Sequence, residues 1–306
     1  MLSIVIPAYN EEKMISKTTK VVSEIMINEK IPYEIVFVND GSKDKTWEEI
    51  KKNAQSNECV VGVNFSRNFG KESAIFAGLS NAKGDCVAVM DCDLQHPPQT
   101  LVDMYHLWEE GYEVVEGVKR SRGEESVLHK MSAGMFYKIM SAAVKIDMSR
   151  ASDFKLMDKQ VVRAILSMTE KNAFFRALSS WVGYKTTSVE FDVQERTEGE
   201  SKWSTWSLIK YAIRNIVGFS TAPMQMITVA GVLVLVMGIF LGLQSIIKYC
   251  MGYALEGFTT VILLLLIIGS IIMISLGIIG VYISKIYEEV KGRPRYFIAD
   301  IIRKND

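Results

Sequence analysis

Carboxylates recur in this sequence directly after short apolar runs. Asp91 and Asp93 stand at alternate positions after the run 86–90, and Gln95 continues the same spacing. Asp40 follows a second apolar run, 34–38. Gathered carboxylates are costly unless a cation, a nucleotide base or a hydroxyl group engages them. Because Mg²⁺ or Mn²⁺ binds one or two carboxylates together with substrate phosphate oxygens, the spacing predicts a divalent-cation site at Asp91, Asp93 and Gln95.

The apolar runs alternate with helical patterns, and this alternation predicts how the polar residues are positioned. Strand-like runs lie at 2–7, 34–38, 60–64 and 86–90, separated by helical stretches of 10–15 residues. Such alternation is typical of an α/β fold with a parallel, doubly wound sheet, which binds ligands at the carboxyl ends of its strands. No G-x-G-x-x-G follows the first run and no P-loop motif is present, which argues against a dehydrogenase or a P-loop NTPase.

Charge and cysteine usage narrow the class of protein further. The 306 residues include 35 basic and 35 acidic residues, so nothing indicates nucleic-acid binding. The four cysteines form no C-x-x-C pair and no zinc-spaced cluster, which is typical of free thiols in a reducing compartment. Residues 1–7 lack a basic region and a cleavage site, so no signal peptide is expected there.

Two long apolar stretches are predicted to cross a membrane. Residues 226–247 and 258–283 contain no charge, and a span requires about 20 apolar residues. We therefore expect a transmembrane helix hairpin within 223–285 of a cell-membrane protein. Glycines in both stretches permit close helix packing, so a homo-oligomer is a further hypothesis.

The flanking residues predict the orientation of this hairpin. Basic residues precede the first stretch and follow the second, whereas 248–257 holds one Lys and one Glu. The positive-inside rule then places both termini in the cytoplasm. The segment 201–222, with Trp203 and Trp206, predicts an interfacial amphipathic helix, and a helix packed on the soluble domain is the alternative. Residues 286–306 are interpreted as a basic cytoplasmic tail.

Six short motifs follow one another along the chain. Four are IPAYNE at 6–11, VNDGS at 38–42, RNFGK at 67–71 and MDCDLQHPP at 90–98. These resemble glycosyltransferase family 2. SDFKL at 152–156 and RTEGESKW at 196–203 narrow the resemblance to the polyprenyl-phosphate glycosyltransferases, which include dolichol-phosphate mannose synthases and bacterial bactoprenol glycosyltransferases. The resemblance covers nearly the whole chain and implies a GT-A catalytic domain at 1–200, with a Rossmann-like, mostly parallel sheet and an inverting mechanism.

The resemblance also implies roles for individual residues. Those implied to bind the nucleotide-sugar are Pro7, Tyr9, Glu11, Asp40, Lys71, Asp91 and Asp93. Asp91, Asp93 and Gln95 would hold Mg²⁺ or Mn²⁺, and Asp153 occupies the position of the proposed catalytic aspartate. Those implied to meet the acceptor phosphate are Lys119, Arg122, Lys130, Arg196, Ser201 and Lys202.

Several positions depart from the pattern of the family. Asn39 replaces a common Asp, which puts the role of that first position in doubt. Cys92 and His96 replace the commoner Ala and Asp, and Cys92 is expected to point away from the metal. Lys119 and Lys155 replace commoner arginines, which keeps the charge but loses bidentate phosphate geometry.

The implied reaction moves a sugar from UDP-glucose, UDP-N-acetylglucosamine or another nucleotide-sugar to undecaprenyl (polyisoprenyl) phosphate. Because a phosphate monoester has its second pKa near ~6, the acceptor oxygen has little proton to lose at cytoplasmic pH. Asp153 would then orient the sugar or keep the acceptor ionised, with a helix cap or turn residue as the alternative. A processive polysaccharide synthase and a non-catalytic membrane scaffold are the competing functions. The missing Q-x-x-R-W motif argues against the first, and the intact D-x-D and 196–202 segments argue against the second.

Overall fold

A computed structural model describes residues 1–120, 152–168, 170, 174–192, 222–252 and 257–304. These residues form two compact units. One unit contains a β-sheet and the residues from Arg293 onward, and the other contains two long helices. The predicted interfacial segment, apart from its last residue, lies outside the described residues. So do five predicted acceptor-phosphate residues: Arg122, Lys130, Arg196, Ser201 and Lys202.

The first unit is built on an eight-stranded sheet. Its strands are β1 (Leu2–Ala8), β2 (Tyr33–Asn39), β3 (Val60–Phe65), β4 (Cys86–Val89), β5 (Val114–Lys119), β6 (Lys155–Asp158), β7 (Thr186–Phe191) and β8 (Ile298–Ile302). The helices between them are α1 (Ile15–Asn28), α2 (Thr46–Ser56), α3 (Lys71–Asn81), α4 (Gln99–Glu109), α5 (Lys159–Ser167) and α6 (Phe175–Trp181). The strand order is β7-β5-β6-β4-β1-β2-β3-β8. The predicted α/β fold with a mostly parallel sheet is confirmed.

Burial on both faces explains why the central strands read as continuous apolar runs. In β2 every residue after Tyr33 is buried, and β4 is buried throughout. Strands covered on both faces need apolar side chains at every position rather than at alternate ones. Helix α1 instead buries one stripe, with buried residues three or four positions apart, as an amphipathic helix does.

The parallel register aligns the ends of three strands at one edge of the sheet. Ala8 of β1 lies beside Asn39 of β2, and Val5 of β1 lies beside Val89 of β4. The residues that follow β4 therefore lie next to the last residues of β1. This alignment gathers the polar residues after these strands at one edge, as the alternation of strands and helices predicts.

Strand β6 brings a distant segment to the same edge because it is antiparallel to β4. Lys155, the first residue of β6, pairs with Val89, the last residue of β4. An antiparallel strand begins where its neighbour ends. The residues just before β6, including Asp153, therefore lie near the residues just after β4, including Asp91.

The C-terminal segment differs from the predicted basic tail at 286–306. Ile298–Ile302 forms β8, the outermost strand on one side of the sheet, which pairs antiparallel with β3. The Ser66 amide donates to the Phe297 carbonyl at 3.1 Å, and the rings of Phe65 and Tyr296 stack at 5.0 Å. The basic residues of this segment led to its interpretation as a tail, although it contains a short apolar run. The partner strand of this run lies more than 200 residues earlier in the sequence. Strand β8 thus belongs to the sheet of the catalytic domain, whereas the predicted domain ended at residue 200.

The second unit consists of helices α7 (Ala222–Cys250) and α8 (Phe258–Val290). Each contains a stretch long and apolar enough to cross a membrane, Met224–Lys248 and Ile267–Val290, and neither stretch is buried by the protein. Both stretches qualify by length and composition only. Helix α8 continues past residue 283, the predicted end of the second span, and includes Lys285, Glu288 and Glu289.

Candidate active site

An ion-pair cluster lies at the edge where β4 ends and β6 begins. Lys71, the first residue of α3, places Nζ 2.6 Å from Asp91 Oδ1 and 3.1 Å from Asp153 Oδ2. Arg176 of α6 donates from Nε to Asp153 Oδ1 at 2.7 Å and from its terminal nitrogen to Oδ2 at 2.8 Å. The structure thus brings together three of the predicted site residues and adds Arg176.

Electrostatics keep this cluster charged. Burial disfavours the ionised form of Asp153, but Lys71 and Arg176 outweigh it and hold the Asp153 pKa far below its usual range. Burial also raises the pKa of Asp91, but Lys71 outweighs this effect and holds the pKa below its usual value. Burial lowers the pKa of Lys71, yet Asp91 and Asp153 raise it by more. Asp153 is therefore an anion between two cations and a poor acceptor of a proton at neutral pH.

The segment after β4 alternates between the core and the site. Cys92 is buried in the core, and its carbonyl accepts a hydrogen bond from Thr18 Oγ1 at 2.8 Å. Burial raises the pKa of the Cys92 thiol. Leu94 adopts a φ of 56°, and Asp93 Oδ1 accepts from the Gln95 amide at 3.1 Å, so the chain turns tightly here. The core position of Cys92 agrees with the expectation that it points away from a metal.

The oxygen atoms of this segment fit a hard divalent cation. Asp91 and Asp93 offer carboxylates and Gln95 an amide oxygen. Mg²⁺ characteristically takes one or two carboxylates and completes its shell with water and substrate phosphate. Among the described residues no group of three His, Cys, Asp or Glu side chains is placed to enclose a metal alone. A cation here would share its coordination with a bound phosphate.

His96 borders this segment as a packed aromatic residue. Its ring stacks on Phe154 with centroids 4.5 Å apart and meets the edge of Phe191 at 5.5 Å. Burial lowers the His96 pKa, against the opposing effect of Asp91. A buried, stacked imidazole with a lowered pKa is neutral at pH 7. Since Phe154 follows Asp153, the stacking also helps to fix the catalytic candidate.

Asp40 supports the loop that leads to Lys71. Its carboxylate accepts from the amides of Phe69 at 2.7 Å and Gly70 at 3.0 Å, and its carbonyl accepts from Asn68 Nδ2 at 3.1 Å. Burial raises the Asp40 pKa more than these amides lower it. The nucleotide-binding role implied by the resemblance stays a prediction, and the structure adds a contact with loop 67–70.

The other predicted residues lie around this edge without joining the ion-pair cluster. Pro7 lies in β1 beside Val38, Tyr9 is exposed directly after β1, and the Glu11 amide donates to Thr46 Oγ1 at 2.8 Å. Lys119 is exposed at the end of β5. These four residues keep the roles implied by the resemblance as predictions.

Lys155 differs from the phosphate-facing arginine that it replaces in the pattern. Its side chain is fully buried, and Nζ pairs with Glu116 at 2.8 Å and donates to Ser179 Oγ. Burial lowers the Lys155 pKa in opposition to Glu116. Lys155–Met157 are buried on both faces of the sheet, so this lysine lies inside the protein and its partners are internal.

Arg176 lies outside the six motifs and is absent from the site residues predicted from the sequence. The sequence does contain a signal, because Arg176 is the single charge in the otherwise apolar run 173–178. An isolated charge on a largely buried helix needs a partner of opposite charge. Only the fold identifies that partner as Asp153.

Gly41 sets the position of the loop that Asp40 holds, and replacing it should impair the site. Gly41 has a φ of 63°, and a Cβ there would lie 2.3 Å from the Arg67 backbone carbon and 2.4 Å from the Asn68 nitrogen. We expect Gly41→Ala to displace loop 67–70 and with it Lys71. Nucleotide-sugar affinity, measured by calorimetry, should fall at least about tenfold, the scale of one lost charge-assisted contact.

Gly111 provides the matched control for this substitution. It also has a positive φ, 91°, but a Cβ there would meet nothing within 4 Å. Gly111→Ala carries a similar backbone strain without the clash and should leave affinity unchanged. Equal losses in the two variants would show that general destabilisation, rather than the position of loop 67–70, is responsible.

Comparison with known proteins identifies relatives along nearly the full chain. The model of glycosyl transferase family 2 matches residues 3–166. A bactoprenol glucosyl transferase of Shigella flexneri is 37% identical over 307 residues, covering 99% of each chain. A prophage bactoprenol glucosyl transferase homolog of Escherichia coli is 37% identical over 303 residues, covering 98% of this chain and 99% of the relative. An uncharacterized glycosyltransferase of Synechocystis is 39% identical over 302 residues, covering 98% and 95%.

Solved structures resemble about seven-tenths of this chain. Mannosyl-3-phosphoglycerate synthase from Rubrobacter xylanophilus has a TM-score of 0.50 at 17% identity, covering 71% of this chain and 72% of its own. Glucosyl-3-phosphoglycerate synthase from Mycobacterium tuberculosis, in complex with Mn²⁺, UDP-glucose and phosphoglyceric acid, has a TM-score of 0.50 at 18% identity, covering 72% and 78%. At these identities the likeness concerns the fold alone, and it confirms the GT-A fold that the motifs imply.

Proposed function

Since the chain belongs to glycosyltransferase family 2, we propose that it transfers a sugar from a nucleotide-sugar to a polyisoprenyl phosphate in a membrane. The observation that carries the proposal is the position of Lys71 between Asp91 and Asp153. This contact joins the predicted metal-binding segment to the predicted catalytic aspartate. Near-full-length similarity to bactoprenol glucosyl transferases and two helices long enough to cross a membrane support a lipid acceptor.

The donor half of the reaction would use the segment after β4. Asp91, Asp93 and Gln95 would hold Mg²⁺ or Mn²⁺, which supplies positive charge to the leaving diphosphate. The Mn²⁺ and UDP-glucose bound by the structurally similar synthase support this choice of cation and donor. Lys71, ion-paired to Asp91, adds a second positive charge close to the same position.

The acceptor half would need charge neutralisation more than proton removal. An acceptor phosphate oxygen attacks the anomeric carbon, the bond from that carbon to the diphosphate oxygen breaks, and the nucleoside diphosphate leaves with the electron pair. Because the acceptor oxygen is already ionised near pH 7, the transfer needs no base. Lys71 would offset the repulsion between the two phosphates, and Asp153, which is bound by Arg176, would hold Lys71 in place.

For the donor we propose UDP-glucose, with UDP-N-acetylglucosamine as the second candidate. The glucosyl transferases among the relatives support glucose. The test is transfer of radiolabelled sugar from a panel of nucleotide-sugars to undecaprenyl phosphate by the purified full-length chain. We expect label in a solvent-extractable lipid that mild acid releases. Label in polymer would favour a processive synthase, and no label from any donor would favour a scaffold. Undecaprenol without phosphate is the control acceptor and should stay unlabelled.

Cys250 allows a test of the predicted topology, in which both termini face the cytoplasm. This cysteine is exposed at the end of α7, next to the segment that joins the two helices. A membrane-impermeant maleimide should label Cys250 in intact cells, and Cys250→Ser should remove that label. Cys59, in the sheet-containing unit and partly exposed, should react only after permeabilisation. Labelling of Cys250 only in permeabilised cells would contradict the hairpin.

A further inference from the structure

Helix α6 carries the cation that fixes Asp153, and groups from two other elements hold this helix. Glu72 Oε2, in the first turn of α3, accepts a hydrogen bond from the Phe175 amide at 2.9 Å. Lys155 Nζ, in β6, donates to Ser179 Oγ and lies 5.5 Å from the centre of the Phe175 ring. The helix has only seven residues, so these contacts restrain most of its length.

The contact from Glu72 meets a specific need of this helix. The first amides of any helix have no partner within the helix, and the residue before α6, Phe174, provides no side-chain cap. Glu72 supplies the missing acceptor from a different element. An acidic side chain at this end also interacts favourably with the helix dipole. The position of α6, and hence of Arg176 one residue later, therefore depends on Glu72.

Two adjacent residues of α3 thus converge on Asp153 by different routes. Lys71 contacts the carboxylate directly, and Glu72 reaches it through Phe175 and Arg176. Arg176 binds both carboxylate oxygens with a planar fork, which fixes the orientation of the carboxylate as well as its position. A single charge such as Lys71 provides no such orientation.

We propose that Glu72 and Arg176 are positioning residues for sugar transfer: Glu72 seats the first turn of α6, and Arg176 then sets the orientation of the Asp153 carboxylate. This inference rests on the function proposed above. It deepens that function by assigning two residues outside the recognised motifs, neither of which needs to touch the substrate.

The surroundings of Glu72 indicate whether its negative charge or its acceptor oxygen is needed to hold helix α6. Burial, and then the negative charge of Asp153, raise the Glu72 pKa to about 7, while the Phe175 amide, Arg176 and Lys71 act in the opposite direction. The contact with Phe175 requires only an acceptor oxygen, which a neutral carboxyl or an amide also has. A glutamine at this position should therefore replace the glutamate, whereas an alanine should not.

The experiment compares Glu72→Ala, Glu72→Gln, Arg176→Gln and the double variant Glu72→Ala/Arg176→Gln. We expect Glu72→Ala and Arg176→Gln to lower kcat about ten- to hundredfold, the scale of a lost charge-assisted contact, with donor KM changed by less than about twofold. Glu72→Gln should retain most of the wild-type kcat. Because both residues act through Asp153 by one route, the double variant should be no slower than Arg176→Gln. Arg163→Gln, at an exposed arginine of α5, is the matched control and should behave like wild type.

Thermal unfolding of the same proteins tests the coupling without any substrate. The destabilisation in the double variant should be smaller than the sum of the single effects, because removing one residue already disturbs the other. Additive losses in both kcat and unfolding temperature, or a Glu72→Gln variant as slow as Glu72→Ala, would overturn the inference. If the wild-type protein transfers no sugar at all, the proposed function fails instead, and the unfolding cycle still decides whether Glu72 and Arg176 are coupled.

Discussion

Asp93→Ala should abolish sugar transfer and weaken nucleotide-sugar binding. Asp93 lies in the tight turn after β4, two residues from Asp91 and two from Gln95. Lys71 already engages an oxygen of Asp91 at 2.6 Å, so a divalent cation would depend heavily on Asp93. Metal stabilisation of a leaving phosphate contributes several kcal/mol, which corresponds to a loss of at least about 10³-fold in rate.

The measurement is turnover with UDP-glucose and undecaprenyl phosphate, paired with calorimetry of donor binding in Mg²⁺ or Mn²⁺. Asp103→Ala is the matched control, since Asp103 is an exposed aspartate of α4, and it should retain wild-type rate and affinity. Wild-type protein should lose activity in excess chelator and regain it on addition of Mg²⁺ or Mn²⁺. Full activity of the wild type in chelator would refute the metal site.

The edge of the sheet that carries the site could be predicted from the sequence because the signals there are local. Buried strands read as apolar runs, and Asn39-Asp40 and Asp91 follow two of them directly. In a parallel sheet such residues share an edge whatever the strand order. The prediction of clustered carboxylates therefore needed only the alternation of strands and helices.

The antiparallel strands could not be predicted in this way. Strand β6 is only four residues long, and its position between β4 and β5 follows from pairing rather than from periodicity. Without that position, nothing places Asp153 beside Asp91. The resemblance to known motifs identified Asp153, but its contacts with Lys71 and Arg176 came from the fold alone. The same limit applies to β8, whose partner β3 is distant in sequence.

Asp153→Asn should lower kcat by about 10²- to 10³-fold, the scale that the loss of one preorganised electrostatic group costs. The substitution keeps the shape of the side chain and removes its charge. Lys71 would still pair with Asp91, but Arg176 would lose the anion that binds both of its donors. Binding of the nucleotide-sugar, which we propose depends mainly on the segment after β4, should change little. A variant that loses donor binding and kcat together would indicate a collapsed site.

The pH dependence separates a charge-organising Asp153 from a general base. Lys71 and Arg176 hold its pKa well below the usual range, so Asp153 stays ionised from pH 9 down to pH 5. A depressed pKa contributes stability that is lost only as the pH falls through the folded-state value, so this contribution should be constant over the same interval. The acid limb of kcat/KM should instead follow the acceptor, with a midpoint near its second pKa of ~6.

An acceptor with a different pKa makes this last expectation decisive. A phosphonate analogue of the lipid, whose second pKa is higher than that of the phosphate monoester, should move the acid limb to higher pH in the wild-type enzyme. Asp153→Asn should show the same shift at its lower rate, because the titrating group belongs to the acceptor. If the midpoint of the acid limb is the same for both acceptors, and the limb is absent in Asp153→Asn, then the titrating group is Asp153. Asp153 would then be a base, and its ion pairs with Lys71 and Arg176 would have to open during the reaction.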